Sequence, residues 1–320
     1  MIKIYSLVSL VFVSIALFSQ TTKSVTGSSS KQPVTKPAPP SILKTLRDSA
    51  SYTAGIHIVN QYKRQNVYNF NSTVVAKAVN DLQAGKQPLI DNTDADKAVL
   101  DYQKLLFTNP NLLPKTPARD TSLNDLCDSA SYAAGIYLIN FFTPFDIVNF
   151  NSSIIVKAIN DLQSKKKPLM NDSLANMVAF RYRNKLLEIK NKSTIDAGKK
   201  FLAENKKNPN LKFTRSGLQY EIIKRGEGSK PNSKNVILCH YAGSFIDGSE
   251  FESSYKIGQP ISFKVTGVIP GWTEALLMMP VGSKWKIYVP YNLGYGPGEY
   301  GKIPGGSTLI FEIELLEIVE

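Results

Sequence analysis

Cysteine and histidine are almost missing from this chain, with two of each in 320 residues. Cys127 and Cys239 stand far apart and lack the spacing of metal ligands, so neither a disulfide framework nor a thiolate site holds the fold together; each reads as a small buried apolar side chain. His57 and His240 fall inside apolar segments and form no ligand cluster, so no metal and no cofactor is expected. The C-terminal region carries no Gly-x-Ser-x-Gly, no His-Glu-x-x-His and no phosphate-binding glycine loop, which removes the familiar hydrolase and nucleotide chemistries. One apolar run follows Lys3, "IYSLVSLVFVSIALF" at residues 4–18. It is short for a bilayer span and suits the core of a signal peptide. No cysteine follows it, which excludes the lipid anchor of a bacterial lipoprotein. Residues 1–20 are therefore read as a signal peptide for export, with an uncleaved anchor as the alternative.

What remains is a chain that folds. Hydrophobic residues make up 42% of it and aromatics 10%, enough to bury cores. Residues 21–40, "TTKSVTGSSSKQPVTKPAPP", have almost nothing to bury and read as a solvated linker. Beyond them lies a duplication. "DSASYTAGIHIVNQY" from Asp48 returns as "DSASYAAGIYLINFF" from Asp128, and "NFNSTVVAKAVNDLQAGKQPL" from Asn69 returns from Asn149 as "NFNSSIIVKAINDLQSKKKPL", an offset of 80 residues at both points.

Each copy, 41–107 and 122–190 with a 108–121 linker between them, reads as three helices. Asn71-Ser72 and Asn151-Ser152 offer capping side chains for the second helix of each copy. Gly55 and Gly135 occupy matching mid-helix positions, where glycine is about 1 kcal/mol worse than alanine. Either they permit a close helix approach, with the first helices crossing there, or one tolerated glycine was copied by the duplication. The third helix of copy one ends before Pro110. That of copy two meets no proline before Pro209, so residues 172–208 are read as one long connecting helix of about 50 Å, with Ser193-Thr194 as the place for a break. The copies are expected to pack against each other within one chain as an intramolecular pseudo-dimer, since three short helices bury too little surface alone. Pairing between chains, a true homodimer, is the alternative.

From about residue 210 to 320 the pattern changes to strands. "LQYEIIK", "NVILCHYAG", "PISFKV", "KWKIYVP" and "STLIFEIELLEIV" alternate or run apolar between Gly, Asn and Pro turns. Only "GWTEALLMM" is helical in character. The expected fold class is α+β: two all-α repeats, then an antiparallel sheet wrapped around one short helix. Trp285, Ile287 and Val289 share one strand face, as do Leu309, Phe311, Ile313 and Leu315. The formal charge of +12 lies wholly in the first 211 residues. Its lysines are spread along helices without an aromatic-basic reading motif, so nucleic acid is not expected as a partner.

Within "SFKVTGVIPGWTEALLMMPVG", Pro270 can open a helix at its first position. Trp272 is then either ordinary core or the floor of a cavity. "HYAGSFIDGSEFESSY", "GVIPGWTEALLMMPVGSKWKIYVPYNLGYG" and "IPGGSTLIFEIELLEI", in that order, closely resemble the FKBP-type peptidyl-prolyl isomerases. The segment "FLAENKKNPNLKFTRSGLQYEIIKRGEG" and each helical copy resemble exported bacterial members of the macrophage infectivity potentiator type, which carry one such helical unit and dimerise through it. The resemblance implies an FKBP-like sheet domain over 210–320. It implies a site in which Tyr241, Phe251, Glu252, Trp272, Tyr295 and Phe311 take part in catalysis, while Phe263, Val268, Ile269 and Ile303 bind the substrate. The proline ring would lie over Trp272, with the Ile269 N–H and the Tyr295 hydroxyl holding substrate carbonyls. The family usually has aspartate where this chain has Glu252. Proline-containing or unfolded exported proteins are the implied substrates, FK506-type macrolides the implied inhibitors, and the periplasm or outer membrane of a Gram-negative bacterium the implied location. The alternative function is a non-catalytic chaperone or binding module that keeps the fold.

Overall fold

The structure is a computed structural model that describes residues 43–109, 123 and 125–319. The expected signal peptide, the 21–40 linker and nearly all of the 108–121 linker lie outside the described residues.

Six helices build the duplicated region. In copy one they are α1 (Leu46–Lys63), α2 (Ser72–Gln83) and α3 (Asn92–Thr108). In copy two they are α4 (Leu126–Phe142), α5 (Ser152–Gln163) and α6 (Asp172–Lys190). The first and third helices start where side-chain oxygens meet their open N–H groups. Thr45 and Asp48 form a reciprocal capping box on α1, while Asp125, Asp91 and Asn171 cap α4, α3 and α6.

Within one copy the helices scarcely touch. Instead α1 packs on α5 and α6, α4 packs on α2 and α3, and α2 meets α5. Each first helix is thus enclosed by the second and third helices of the other copy. Tyr52, Tyr102, Tyr132, Phe150, Leu138 and Ile155 are all fully buried as a result. Polar contacts obey the same reciprocity. The Tyr52 hydroxyl donates to Asp161 at 2.9 Å and accepts from the Leu169 N–H, while the Tyr132 hydroxyl donates to Asp81 at 3.2 Å and accepts from the Leu89 N–H. Lys157 and Lys77 pair with those two aspartates, so neither of the two carboxylates is left without a counter-charge. Burial raises the Tyr52 phenol to a pKa of about 12.

Two expectations about this region need correction. Asn71 and Asn151 do stand at N-cap positions, but neither side chain caps its own helix. Asn71 Nδ2 donates to Asp128 at 2.8 Å and Asn151 Nδ2 donates to Asp48 at 2.8 Å, each reaching the first helix of the other copy. Their backbone N–H groups likewise donate to Ser131 and Ser51. Second, Gly55 and Gly135 do not mark a crossing of the two first helices. A Cβ on Gly55 would stand 2.5 Å from Ala158 Cβ and 3.0 Å from the Ile155 carbonyl oxygen; one on Gly135 would stand 2.5 Å from Ala78 Cβ and 2.6 Å from the Val75 oxygen. The close approach is real, but its partner is the second helix of the other copy. The copies have also diverged: His57 stacks on Phe141 at 4.2 Å and meets Phe142 at 5.5 Å, whereas Tyr137, its counterpart, meets Tyr62 at 6.1 Å. Burial in this aromatic cluster lowers the His57 pKa to about 4, with Arg64 adding to the shift.

The long connecting helix is two helices, α6 and α7 (Lys192–Asn205), broken at Asn191 and not at Ser193-Thr194. Asn191 leaves helical geometry with ψ at 25° while its side chain donates to the Pro297 carbonyl at 2.8 Å. Its partner is over a hundred residues away, which is why no local signal marked the break.

The C-terminal region is antiparallel throughout. Its strands are β1 (Lys212–Phe213), β2 (Gln219–Lys224), β3 (Val236–Phe245), β4 (Glu250–Ser253), β5 (Ile261–Lys264), β6 (Lys284–Val289) and β7 (Leu309–Ile318). Their order is β1-β2-β6-β7-β3-β4, with β5 also pairing β3. The alternating residues of β7 bury Leu309, Phe311, Ile313 and Leu315, and β6 buries Trp285, Ile287 and Val289. The expectation of one short helix was incomplete. Beside helix α9 (Pro270–Leu276) there is a single turn, α8 (Ser254–Ile257). It forms because Ser254 Oγ accepts from the Tyr241 N–H at 2.8 Å, and it ends at Gly258 with φ at +83°. Cys127 and Cys239 are buried free thiols. Among the described residues no helix is long and apolar enough to cross a membrane.

Candidate functional site

The site is assembled where α9 packs with strand residues in one buried apolar cluster. Ile269 is extended, with φ −59° and ψ 151°, and Pro270 occupies the first helical position, where a missing N–H leaves no bond unmade. The Trp272 N–H then donates to the Ile269 carbonyl at 3.0 Å, and Thr273 Oγ1 ties the helix back to the Val265 carbonyl at 2.7 Å. These bonds fix where the indole stands.

Three rings meet that indole edge to face. Tyr241 from β3 is 5.2 Å away at 83°, Phe263 from β5 is 5.6 Å away at 76°, and Phe311 from β7 is 5.3 Å away at 89°. Such perpendicular contacts suit the ring quadrupoles and are worth about 0.5–1.5 kcal/mol each beyond burial. They also hold the walls upright on a common base. Phe251 extends the wall, 5.7 Å from Phe311 at 89°. Gly243 on β3 makes this contact fit, because a Cβ there would lie 2.7 Å from Phe251 and 2.8 Å from Phe311.

All ten residues expected from the sequence come together. Tyr241, Trp272, Ile303 and Phe311 are buried in one cluster, and Phe251, Phe263, Val268, Ile269 and Tyr295 are partly buried against it. Glu252 is solvent-exposed on β4, opposite Gly243. Burial raises the Tyr241 phenol above its ordinary pKa, and the nearby Glu252 carboxylate raises it further. The Tyr295 phenol is raised too, first by burial and then by Glu252 and Tyr300. Both hydroxyls are therefore neutral donors at ordinary pH. The Trp272 Nε1–H is buried without a partner, and the Ile269 N–H donates to no backbone carbonyl among the described residues. An apolar cage with such donors can desolvate and orient a small apolar group carrying carbonyls. The ten lining residues include no serine, threonine, cysteine or histidine.

Several neighbours were not anticipated. Tyr300 stacks on Tyr295 at 4.4 Å and 15°, Phe245 lies 4.9 Å from Phe251, and Ser254 pins the backbone of Tyr241. Nothing in local sequence distinguishes them, since each acts through a partner set by strand register or by loop closure.

Comparison with known proteins follows the same division of the chain. Residues 227–316 match the family model of the FKBP-type peptidyl-prolyl cis-trans isomerase, and residues 127–222 match that of the domain amino terminal to FKBP-type peptidyl-prolyl isomerase. The FKBP-type peptidyl-prolyl cis-trans isomerase FkpA of Aeromonas hydrophila is 39% identical over 178 residues, covering 53% of this chain and 66% of that protein. The FKBP-type 22 kDa isomerase of Escherichia coli K12 is 50% identical over 123 residues, covering 38% and 60%. Of these two the chain thus spans less than two thirds. The outer membrane protein MIP of Legionella longbeachae is 36% identical over 209 residues, which is 62% of this chain and 88% of that protein. With both family models matched in their order along the chain and a relative aligned over most of its length, this chain belongs to the FKBP-type peptidyl-prolyl cis-trans isomerase family.

Proposed function

We propose that this protein catalyses cis-trans isomerisation of Xaa-Pro bonds in exported polypeptides. The carrying observation is the Trp272 base with Tyr241, Phe263 and Phe311 standing perpendicular to it. Rotation about a prolyl amide faces a barrier of about 18–20 kcal/mol because the planar bond is resonance-stabilised. The twisted transition state loses that resonance, and its carbonyl is less polar than the planar one. A dry aromatic cage therefore favours the twisted form over the planar form relative to water, and fixed donors select its geometry.

In this reading the proline ring lies over Trp272 between Phe263, Ile303 and Phe311, with Val268 and Ile269 at the border. The Ile269 N–H and the Tyr295 hydroxyl hold substrate carbonyls. Tyr241, oriented by Glu252, and Phe251 line the side where the carbonyl turns. The sheet domain from about residue 210 is the catalytic part, and FK506-type macrolides compete for its cage. The reciprocal helical packing supports an intramolecular pseudo-dimer that makes one body of the copies 41–107 and 122–190. Export to the periplasm or outer membrane is supported by the apolar run at residues 4–18 and by the relatives. Purified full-length protein should accelerate isomerisation of a short Xaa-Pro peptide, and FK506 should abolish the acceleration. A folded protein that leaves the rate at its uncatalysed value would refute the proposal.

A further inference from the structure

One strip of the helical region rests on the loop between β6 and β7, while farther along α7 the Gln219 amide donates to the Leu202 carbonyl and Phe201 meets Tyr288. Residues 291–306 leave β6 at Pro290 and return to β7, carrying Tyr295 and Ile303. The loop has little regular structure of its own: a 3-10 turn at Tyr291–Leu293, a bridge between Tyr300 and Ile303, and a bond from the Gly306 N–H to the Gly296 carbonyl. Its outer side rests on the α6–α7 junction. Leu187 faces Gly298, Asn191 faces Gly305, Ile195 faces Gly306, and Gly198 accepts Thr308. No Cβ fits at Gly305 or Gly306 without displacing Asn191 or Ile195. The residues 187, 191, 195 and 198 follow the spacing of one helix face, and the strip runs straight across the break at Asn191. Leu187 is only 3% exposed and Ile195 only 4%. Two directed bonds complete the contact: Asn191 Nδ2 to the Pro297 carbonyl at 2.8 Å, and the Tyr291 hydroxyl to Glu188 at 3.2 Å.

We infer that Asn191 is a positioning residue for the isomerase site: by tethering Pro297 it fixes the loop that brings Tyr295 and Ile303 to the cage. The inference rests on the proposed function and extends it to a residue outside the catalytic domain. Asn191 touches no substrate in this view. Its amide fixes one end of a chain of contacts that passes from Pro297 through the Tyr295–Tyr300 stack and the Tyr300–Ile303 bridge to the rim.

The test uses the full-length chain with Asn191→Ala and Asn191→Asp; the latter keeps the shape and replaces the donor by an acceptor. Hydrogen exchange and kcat/KM on a short Xaa-Pro peptide are measured together. In both variants peptides from residues 291–306 should exchange about five-fold faster, the weight of one hydrogen bond. Peptides from β3 and β7 should keep their protection. The value of kcat/KM should fall about five-fold, and Asn191→Asp should fare no better than Asn191→Ala. Unchanged kcat/KM would overturn the inference, as would a loss accompanied by faster exchange throughout the sheet. Restoration of activity by Asn191→Asp would also overturn it, since shape alone would then suffice. If wild-type protein shows no isomerase activity, the proposed function fails; the positioning role is then decided by FK506 affinity, which should weaken about five-fold in both variants and which overturns the inference if unchanged.

Discussion

The contact at Gly55 and Gly135 yields a prediction in which two effects of known size oppose each other. Alanine in place of a mid-helix glycine gains about 1 kcal/mol from helix propensity. Here, however, the new Cβ of Gly55→Ala would meet Ala158 Cβ at 2.5 Å and the Ile155 carbonyl oxygen at 3.0 Å. Carbon atoms in contact sit about 3.5–4.0 Å apart, so α1 and α5 must separate by about 1 Å, an overpacking cost of about 1–3 kcal/mol. At Gly135 the nearest backbone atom, the Val75 oxygen, would be only 2.6 Å away, and a carbonyl held in α2 cannot swing aside. Gly135→Ala should therefore destabilise by about 2 kcal/mol and Gly55→Ala by about 1 kcal/mol. Removing the opposing methyl separates the two sites further. Ala158→Gly should restore most of the loss from Gly55→Ala, whereas Ala78→Gly should restore little of that from Gly135→Ala, because the carbonyl remains. Urea unfolding of the full chain, followed by far-UV circular dichroism, measures all four variants. If both alanines stabilise by the propensity gain alone, the helices are not in contact there and the reciprocal packing is wrong.

Trp272→Leu should lower kcat/KM on a short peptide at least ten-fold while the sheet stays folded by near-UV circular dichroism; an unaltered rate would show that the indole is only core. Glu252→Asp should keep or raise activity, and a large loss would mean the site has been rebuilt around the longer side chain. His57 has a folded pKa near 4 against about 6.5 unfolded. Its contribution to stability is therefore full above pH 6.5 and lost as pH falls toward 4, because the unfolded chain takes up the proton first; His57→Phe should flatten urea midpoints over that window, and an unchanged slope contradicts the assignment. The full chain should be monomeric by light scattering at micromolar concentration. A chain lacking residues 41–121 should pair with a second copy to cover α4 and α6, and a folded monomer of that shortened chain would refute internal pairing.

The duplication, the change from helices to strands and the faces of β6 and β7 were all legible, because each repeats a period or a motif along the chain. The ten proposed site residues were named by family resemblance, since composition alone gave only a set of aromatics. What stayed hidden depends on partners distant in sequence. Asn71 and Asn151 satisfy the local rule for a helix cap, yet the aspartates of the other copy offer charged acceptors and take their amides instead. The break at Asn191 answers to Pro297 in the same way. The α8 turn hangs on one serine hydroxyl set by the pairing of β3 and β4.

Fusing two reciprocal copies into one chain releases them from a rule that governs any symmetric homodimer, in which every substitution is made on both sides of the axis at once. Position 57 could become histidine against Phe141 and Phe142 while position 137 stayed tyrosine against Tyr62. The third helices show a further divergence. Leu187 on α6 is buried against the sheet domain, whereas its counterpart Phe107 on α3 is 90% exposed. Each half can therefore drift independently of the other. One end of the helical body seats the sheet domain, and the matching end at α3 packs on no such domain among the described residues, which leaves it open to separate selection.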